Sequence, residues 1–307
     1  MRIAALAVAL ALAACGGSSP SSGFEGSGQP GGGGFGGGDG SSGGFGDKSP
    51  ADAGGNQAGC SEEAKLVYVV DAEDGLYSFE PDTLTFTRIG TLSCPAGAAT
   101  PNSMAVDRSG TAWVNYSDGR LFKVSTKDAS CEATSFQPGQ QGFTRFGMAF
   151  ASNAAGSEDE TLFVCGIDGA SGGKGLAKID LSTMSLTRIG DFSGALEGMA
   201  AELTGTGEGR LFGFFTTSPN ATLAEIAKSN AATSGDEDLA GVSTGNAWAF
   251  SFWGGDFWFY TSSGLTPSRV TRLRTSTGKV EVVKPDVGGF RIVGAGVSTC
   301  APTTSPR

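Results

Sequence analysis

Few residues of this 307-residue chain could carry out acid–base or metal chemistry. The sequence contains no histidine, which excludes histidine as a general base, Ser-His and Cys-His nucleophile pairs, and histidine metal sites. Its six cysteines show no CxxC spacing, so the sequence predicts no metal site and no cofactor. Ligand binding, or catalysis that uses a carboxylate or a metal ion at the channel, is the chemistry that remains.

Six residues are predicted to bind a ligand, because each enters or flanks an innermost strand of the repeat that runs through residues 60–300. Polar groups that converge on a concave opening make a default ligand pocket. Glu197 is the single carboxylate in this set, whereas glycoside hydrolysis needs a pair of carboxylates, so the set favours binding over catalysis. The six residues are Asn102, Arg145, Phe146, Glu197, Asn246 and Arg291.

Three Asp-Gly pairs are predicted to form tight turns between the second and third strands of successive repeats. The Asp-Gly dipeptide supplies the positive φ that a tight hairpin needs. A calcium site at Asp71, Glu73 and Asp74 is the alternative, but their spacing does not match the D-x-[DN]-x-[DN]-G loop. Turn formation is therefore the favoured interpretation. The pairs are Asp74-Gly75, Asp118-Gly119 and Asp168-Gly169.

Residues 60–301 are predicted to be all-β, because short runs of Val, Ile, Phe, Trp and Thr alternate with Gly, Asp and Ser turns. Two strand-like elements recur five times at intervals of 44 to 51 residues. A Leu-x-x-apolar run also occurs in each copy, and a fourth run follows less regularly. The first element is a small apolar run at Ser103–Val106, Gly147–Phe150, Gly198–Ala201, Ala247–Phe250 and Val293–Gly296. The second is an aromatic run centred on Tyr68, Trp113, Phe163, Phe212 and Trp258.

Four strands in each repeat and a period in the forties are typical of β-propeller blades. Five copies predict five four-stranded blades, with four or six blades as the alternatives. The first copy lacks an inner strand, and the last inner strand, from Ile292 to Thr299, has no strands after it. We therefore expect the C-terminal strand to pair into blade 1 and to close the ring, which leaves few free strand edges.

Two disulfide bonds are predicted. Cys60 precedes the first strand and Cys300 ends the closing strand, so the proposed topology makes them neighbours. Cys94 and Cys131 lie late in blade 1 and in the outer strand of blade 2, where a second pairing is expected. Cys165 falls in an apolar strand and is predicted to be a buried thiol.

The N-terminus has the features of a secretory signal. Met1-Arg2 precedes an apolar run from Ile3 to Ala14, which is too short for a spanning helix of about 20 residues. Leu12-Ala13-Ala14-Cys15 resembles the bacterial lipobox, which implies cleavage after residue 14 and lipidation of Cys15. A simple signal cut beside an incidental cysteine is the alternative. Residues 16–59 are rich in Gly and Ser and are predicted to form a disordered tether, and residues 302–307 a disordered tail.

Residues 60–300 resemble the secreted bacterial β-propellers with short repeats of the form Leu-Tyr, Asp-x-x-Thr and Thr-x-Ile-Gly. Together with the lipobox, the resemblance implies a bacterial propeller lipoprotein. Because Gly16 follows Cys15, it implies the outer membrane, on the periplasmic or the cell-surface side. The matching residues are Leu76-Tyr77, Asp82, Thr83 and Thr87–Gly90, and then Leu176, Asp180, Thr183 and Thr187–Gly190.

The charge and the motifs together favour a module that binds or scaffolds and is not an enzyme. A formal net charge of −10 argues against binding nucleic acid through a basic patch. The expected partners are the membrane, through the lipid on Cys15, and an envelope protein or glycan. The alternative function is a propeller hydrolase or lyase that uses a carboxylate or metal at the central channel.

Overall fold

The computed structural model describes residues 60–169 and 172–305. The predicted signal peptide, the lipidation site at Cys15 and the Gly/Ser tether lie outside the described residues. Strands dominate the described part of the chain, with three short 3₁₀-helices at Glu63–Lys65, Gln140–Gly142 and Gly194–Leu196. None of the helices in the described residues is long and apolar enough to cross a lipid bilayer.

Twenty strands are observed in the described residues, numbered here in chain order. They are β1 (Val67–Asp71), β2 (Gly75–Glu80), β3 (Thr85–Thr91), β4 (Pro101–Val106), β5 (Thr111–Tyr116), β6 (Leu121–Ser125), β7 (Cys131–Ala133), β8 (Arg145–Ser152), β9 (Glu160–Asp168), β10 (Gly172–Asp180), β11 (Ser185–Gly190), β12 (Ala201–Gly205), β13 (Leu211–Phe215), β14 (Thr222–Ile226), β15 (Thr233–Asp238), β16 (Ala247–Trp253), β17 (Asp256–Ser262), β18 (Arg269–Arg274), β19 (Lys279–Lys284) and β20 (Ile292–Val297).

The strands form five four-stranded antiparallel sheets, which are the blades of an all-β propeller. Blade 1 has the order β20-β1-β2-β3, and blades 2 to 5 are β4–β7, β8–β11, β12–β15 and β16–β19. In blade 1, Val67 pairs with Val297 and Val69 with Ala295. The prediction that the C-terminal strand closes the ring is therefore confirmed, as is the number of blades.

The middle strands of the blades are buried on both faces, which explains their continuous apolar sequences. Every residue of β17 is buried. Phe257 of β17 lies 4.9 Å from Phe212 of blade 4, measured between ring centroids. The next residue, Trp258, lies 5.8 Å from Phe79 of blade 1. Because successive side chains of a strand point to opposite faces, each middle strand packs against both neighbouring blades.

The inner strand of blade 4 begins later than the repeat predicts. The small apolar run was expected at Gly198–Ala201, whereas β12 spans Ala201–Gly205. The chain before β12 forms the 3₁₀-helix at Gly194–Leu196, and Gly198 adopts a φ of 72°. This left-handed backbone keeps the preceding residues out of the sheet, so the residues that face the centre of the ring change.

Both predicted disulfide bonds are present. Cys60 is bonded to Cys300 with a Cα–Cα distance of 5.8 Å, and Cys94 to Cys131 with 4.9 Å. The first bond joins the residue before blade 1 to the end of the closing strand. After this bond, the chain continues to contact blade 5, because Pro302 O accepts a hydrogen bond of 2.7 Å from Gly254 N.

Cys165 is a free, fully buried cysteine, and we expect thiol reagents to leave it unmodified in the folded protein. Burial raises the pKa of its thiol to about 12, and the thiolate is the reactive form. Alkylation near neutral pH should be on the order of a thousandfold slower than in the denatured chain. Mass spectrometry after timed alkylation measures both rates, and equal rates would contradict the assignment.

Candidate functional site

The six predicted site residues lie on the end of the ring at which the inner strands β4, β8, β12, β16 and β20 begin, called here the upper face. The structure brings two of them together there. Asn246 Nδ2 and the Nη1 atom of Arg291 both donate to the carbonyl oxygen of Gly264, at 3.1 and 3.2 Å. Gly264 belongs to the loop between β17 and β18, residues 263–268, so these two side chains fix that loop.

Asn102 and Phe146 are also joined, but they hold blades 2 and 3 together. The half-buried Asn102 donates from Nδ2 to the carbonyl oxygen of Phe146 at 3.2 Å, and to Asn115 Oδ1 at 3.1 Å. The Phe146 side chain is fully buried and lies edge-on to Phe136, with 6.0 Å between the ring centroids. The ring of Phe146 therefore packs in the core and does not line the mouth of the channel.

The remaining two predicted residues, Arg145 and Glu197, lie at blades 3 and 4. Arg145 donates from Nη2 to the carbonyl oxygen of Gly169 at 3.3 Å. Gly169 belongs to a turn of the same blade. Glu197 is exposed and follows the 3₁₀-helix at Gly194–Leu196. Ligand binding by this set of six remains a prediction, and the structure distributes its members over several blades.

A different carboxylate, which the sequence reasoning missed, occupies the centre of the ring. Glu202 of β12 is buried, and Oε2 accepts a hydrogen bond of 2.7 Å from Ser103 Oγ of β4. Blades 2 and 4 are not neighbours in the ring, so this bond crosses the centre. Burial raises the pKa of Glu202 well above its usual range. A sequence signal existed, because Glu202 is the lone charged residue in a run of small and apolar residues.

A groove on the upper face, between blades 5 and 1, is the larger of two clefts that share Thr266 and Pro267. We call it the blade 5–1 groove, and its volume is about 440 Å³. The smaller cleft, of about 280 Å³, lies within blade 5. The residues that line the groove include Asp71, Glu73, Leu265, Pro267, Phe290 and Arg291.

The groove is lined by both apolar and charged residues. Phe290 stacks on Tyr77 with parallel rings and a centroid distance of 4.2 Å. Leu265, at the tip of the 263–268 loop, is 92% exposed. Two acidic residues of blade 1 and Arg291 line the same groove. An exposed apolar side chain beside half-buried aromatic rings and charged groups is a composition typical of a recognition surface.

Asp71 shapes this groove through its turn. Its Oδ1 accepts hydrogen bonds from the backbone amides of Glu73 and Gly75, at 2.9 and 2.7 Å, and its Oδ2 accepts one from Tyr77 Oη at 3.0 Å. Burial, and then this bond, raises the pKa of Tyr77. Because Asp74 has a φ of 64°, the turn has the predicted positive φ. Across residues 60–169 and 172–305, no three His, Cys, Asp or Glu side chains are grouped to hold a metal ion.

Comparisons with known proteins give no family. No family model matches the chain, and no curated protein matches it. Among solved structures, the chain is similar to the Dos1 propeller, at 13% identity and a TM-score of 0.40, over 76% of this chain and 56% of that one.

Two further solved structures are similar to the chain at the same level. TolB from Acinetobacter baumannii matches at 13% identity and a TM-score of 0.41, over 72% of this chain and 52% of that one. The hydrazine synthase of Kuenenia stuttgartiensis matches at 12% identity and 0.41, over 80% and 72%. The chain spans about half the length of the Dos1 and TolB structures. The assignment of five blades rests on the strand order and register of the chain itself.

Proposed function

We propose that this chain is an extracytoplasmic, membrane-tethered propeller that binds an envelope protein in the blade 5–1 groove and catalyses no reaction. The observation that carries the proposal is Leu265, which is 92% exposed at the edge of a groove that also presents Phe290 and Arg291. Large exposed apolar side chains in clefts are typical anchors of protein interfaces. In the described residues, one other large apolar side chain is exposed: Val282, at 50% exposure on the outer strand of blade 5, outside the groove.

The two disulfide bonds support the extracytoplasmic part of the proposal, because such bonds persist in oxidising compartments. The signal-like N-terminus and the lipobox resemblance support the tether. The state of Glu202 supports binding over catalysis. This central carboxyl is buried and bonded to Ser103, whereas the alternative, a hydrolase or lyase, needs a carboxylate or a metal ion that a substrate can reach.

Replacement of Leu265 by aspartate is expected to weaken retention of the partner at least tenfold. The reason is that truncating or charging an interface anchor costs more than about 1.4 kcal/mol of binding free energy. The measurement places a photo-crosslinking amino acid at position 73, which lines the groove and is exposed, in the full chain in its own cell envelope. It compares the adduct yield with and without Leu265→Asp. We expect a discrete protein adduct at position 73 whose yield decreases in the Leu265→Asp background.

Position 282 provides the matched control, because Val282 is also an exposed apolar residue but lies on blade 5 outside the groove. Val282→Asp should leave retention unchanged, and a crosslinker at position 282 should give no discrete adduct. Equal adducts at positions 73 and 282 would refute the groove as the binding site. An adduct with glycan alone would refute the protein partner, and release of a cleaved product would refute the absence of catalysis.

A further inference from the structure

We propose that Glu202 is a neutral carboxylic acid whose hydrogen bond to Ser103 braces blade 2 against blade 4 across the centre of the ring. This device is independent of the proposed partner and of the groove. It would make the stability of the propeller depend on pH through the proton on this carboxyl.

The geometry of the brace comes from two inner strands that do not belong to neighbouring blades. Ser103 of β4 and Glu202 of β12 are 99 positions apart in the chain, and both are buried. Blade 3 lies between them, and its inner strand carries Gly147 beside Glu202. A Cβ at Gly147 would lie 2.8 Å from Glu202 Cα, closer than real Cβ contacts. The missing side chain lets the two backbones approach at the centre of the ring.

Among the described residues, no cationic side chain contributes to the pKa of the Glu202 carboxyl. Burial is the main cause of the raised pKa of Glu202, and the bond from Ser103 opposes it. From blade 3, the titratable group that faces Glu202 is the thiol of Cys165, which is neutral because burial raises its own pKa. On the adjacent strand β13, Glu202 pairs with Phe214. A buried carboxyl without a counter-charge stays protonated.

The sign of the pH dependence follows from linkage. In the unfolded chain the carboxyl of Glu202 titrates near its ordinary pKa of about 4.3. In the folded protein it keeps its proton above that pH. Unfolding therefore releases a proton, and the folded state loses stability as the pH rises from that value towards the folded pKa. Across this window the unfolding constant should rise up to tenfold for each pH unit.

The test measures denaturant unfolding of the full chain from pH 5 to pH 8 for the wild type and Glu202→Gln. The glutamine keeps a hydrogen-bond acceptor for Ser103 but has no proton to release. We expect the unfolding constant of the wild type to rise relative to Glu202→Gln, by up to tenfold for each pH unit. Glu197→Gln is the matched control, since Glu197 is exposed, and it should keep the wild-type slope. Equal slopes for the wild type and Glu202→Gln would overturn the proposal.

Infrared spectroscopy gives a second readout that does not depend on folding of the glutamine variant. The wild type at pH 7 should show the carbonyl band of one protonated carboxyl, and Ser103→Ala should retain this band to higher pH, because the bond from Ser103 lowers the pKa. Absence of a protonated carboxyl from the wild type at pH 7 would overturn the proposal. A band that disappears at lower pH in Ser103→Ala would overturn the role of Ser103.

Discussion

Replacement of both Cys60 and Cys300 by serine is expected to lower the free energy of unfolding by about 5.5 kcal/mol. The bond joins residues 240 positions apart, and a cross-link over so long a loop removes a large conformational entropy from the unfolded chain. Small domains are stable by about 5 to 15 kcal/mol, so the loss is a large share of the total. The midpoint of urea unfolding, with the slope held in common, measures the effect.

The second disulfide provides the comparison. Cys94 and Cys131 are 37 positions apart, so their replacement should cost about 4 kcal/mol, about 1.5 kcal/mol less than loss of the first bond. A reductant should lower the free energy of unfolding of the wild type. It should not change that of a variant in which all four disulfide-bonded cysteines are replaced. A larger loss from the Cys94–Cys131 pair would show that native-state contacts, and not loop entropy, decide the ranking.

The ring should nevertheless stay closed at its last strand when the Cys60–Cys300 bond is absent. Thr299, just after β20, donates from Oγ1 to Glu160 Oε2 at 2.8 Å and accepts from the Nη1 atom of Arg108 at 3.2 Å. Arg108 also contacts Cys60 Sγ at 3.5 Å. This network links the closing strand to blades 2 and 3. We therefore expect the serine variant to have the same strand content as the wild type at urea concentrations below its own, lowered unfolding midpoint.

The blades could be predicted from sequence because their signals are local. The aromatic run around Trp258 and the Leu-x-x-apolar run at Leu176 each reflect burial within one blade and its neighbours, and both recur with the repeat. The closing strand could be predicted because it is the one inner strand without following strands. Cys60 and Cys300 then followed from topology alone.

The functional surfaces were harder to predict than the blades. They depend on contacts between different blades and between connecting loops, which do not recur with the repeat. Glu202 meets Ser103 across the ring, and no spacing within a blade encodes a contact between blades 2 and 4. The 3₁₀-helix at Gly194–Leu196 also delays the start of β12. The carboxylate near the centre of the ring is therefore Glu202 and not the predicted Glu197. Leu265 and Phe290 lie in connecting loops, and the groove exists because these loops of blades 5 and 1 meet.

Replacement of Gly147 by alanine is expected to destabilise the propeller by about 3 kcal/mol, the upper range for overpacking a close-packed interior. A Cβ at this position would lie 2.1 Å from the carbonyl oxygen of Ala201. The obstacle is backbone of β12, so no side-chain rotamer can relieve the contact. Either β8 or β12 must move, and this movement separates blades 3 and 4 at the centre, where Glu202 reaches Ser103.

Gly205→Ala tests the same contact from the opposite strand, because its Cβ would lie 2.0 Å from the carbonyl oxygen of Phe150 in β8. Gly194→Ala is the control. Gly194 has a φ of 61° and open space around a Cβ, so alanine there adds only left-handed strain of about 1 kcal/mol. Urea unfolding of the three variants should place Gly147→Ala and Gly205→Ala well below Gly194→Ala. If Gly147→Ala and Gly205→Ala lost no more stability than Gly194→Ala, the close approach of β8 and β12 would not hold blades 3 and 4 together, because a Cβ placed against the facing backbone would then cost no more than one placed in open space.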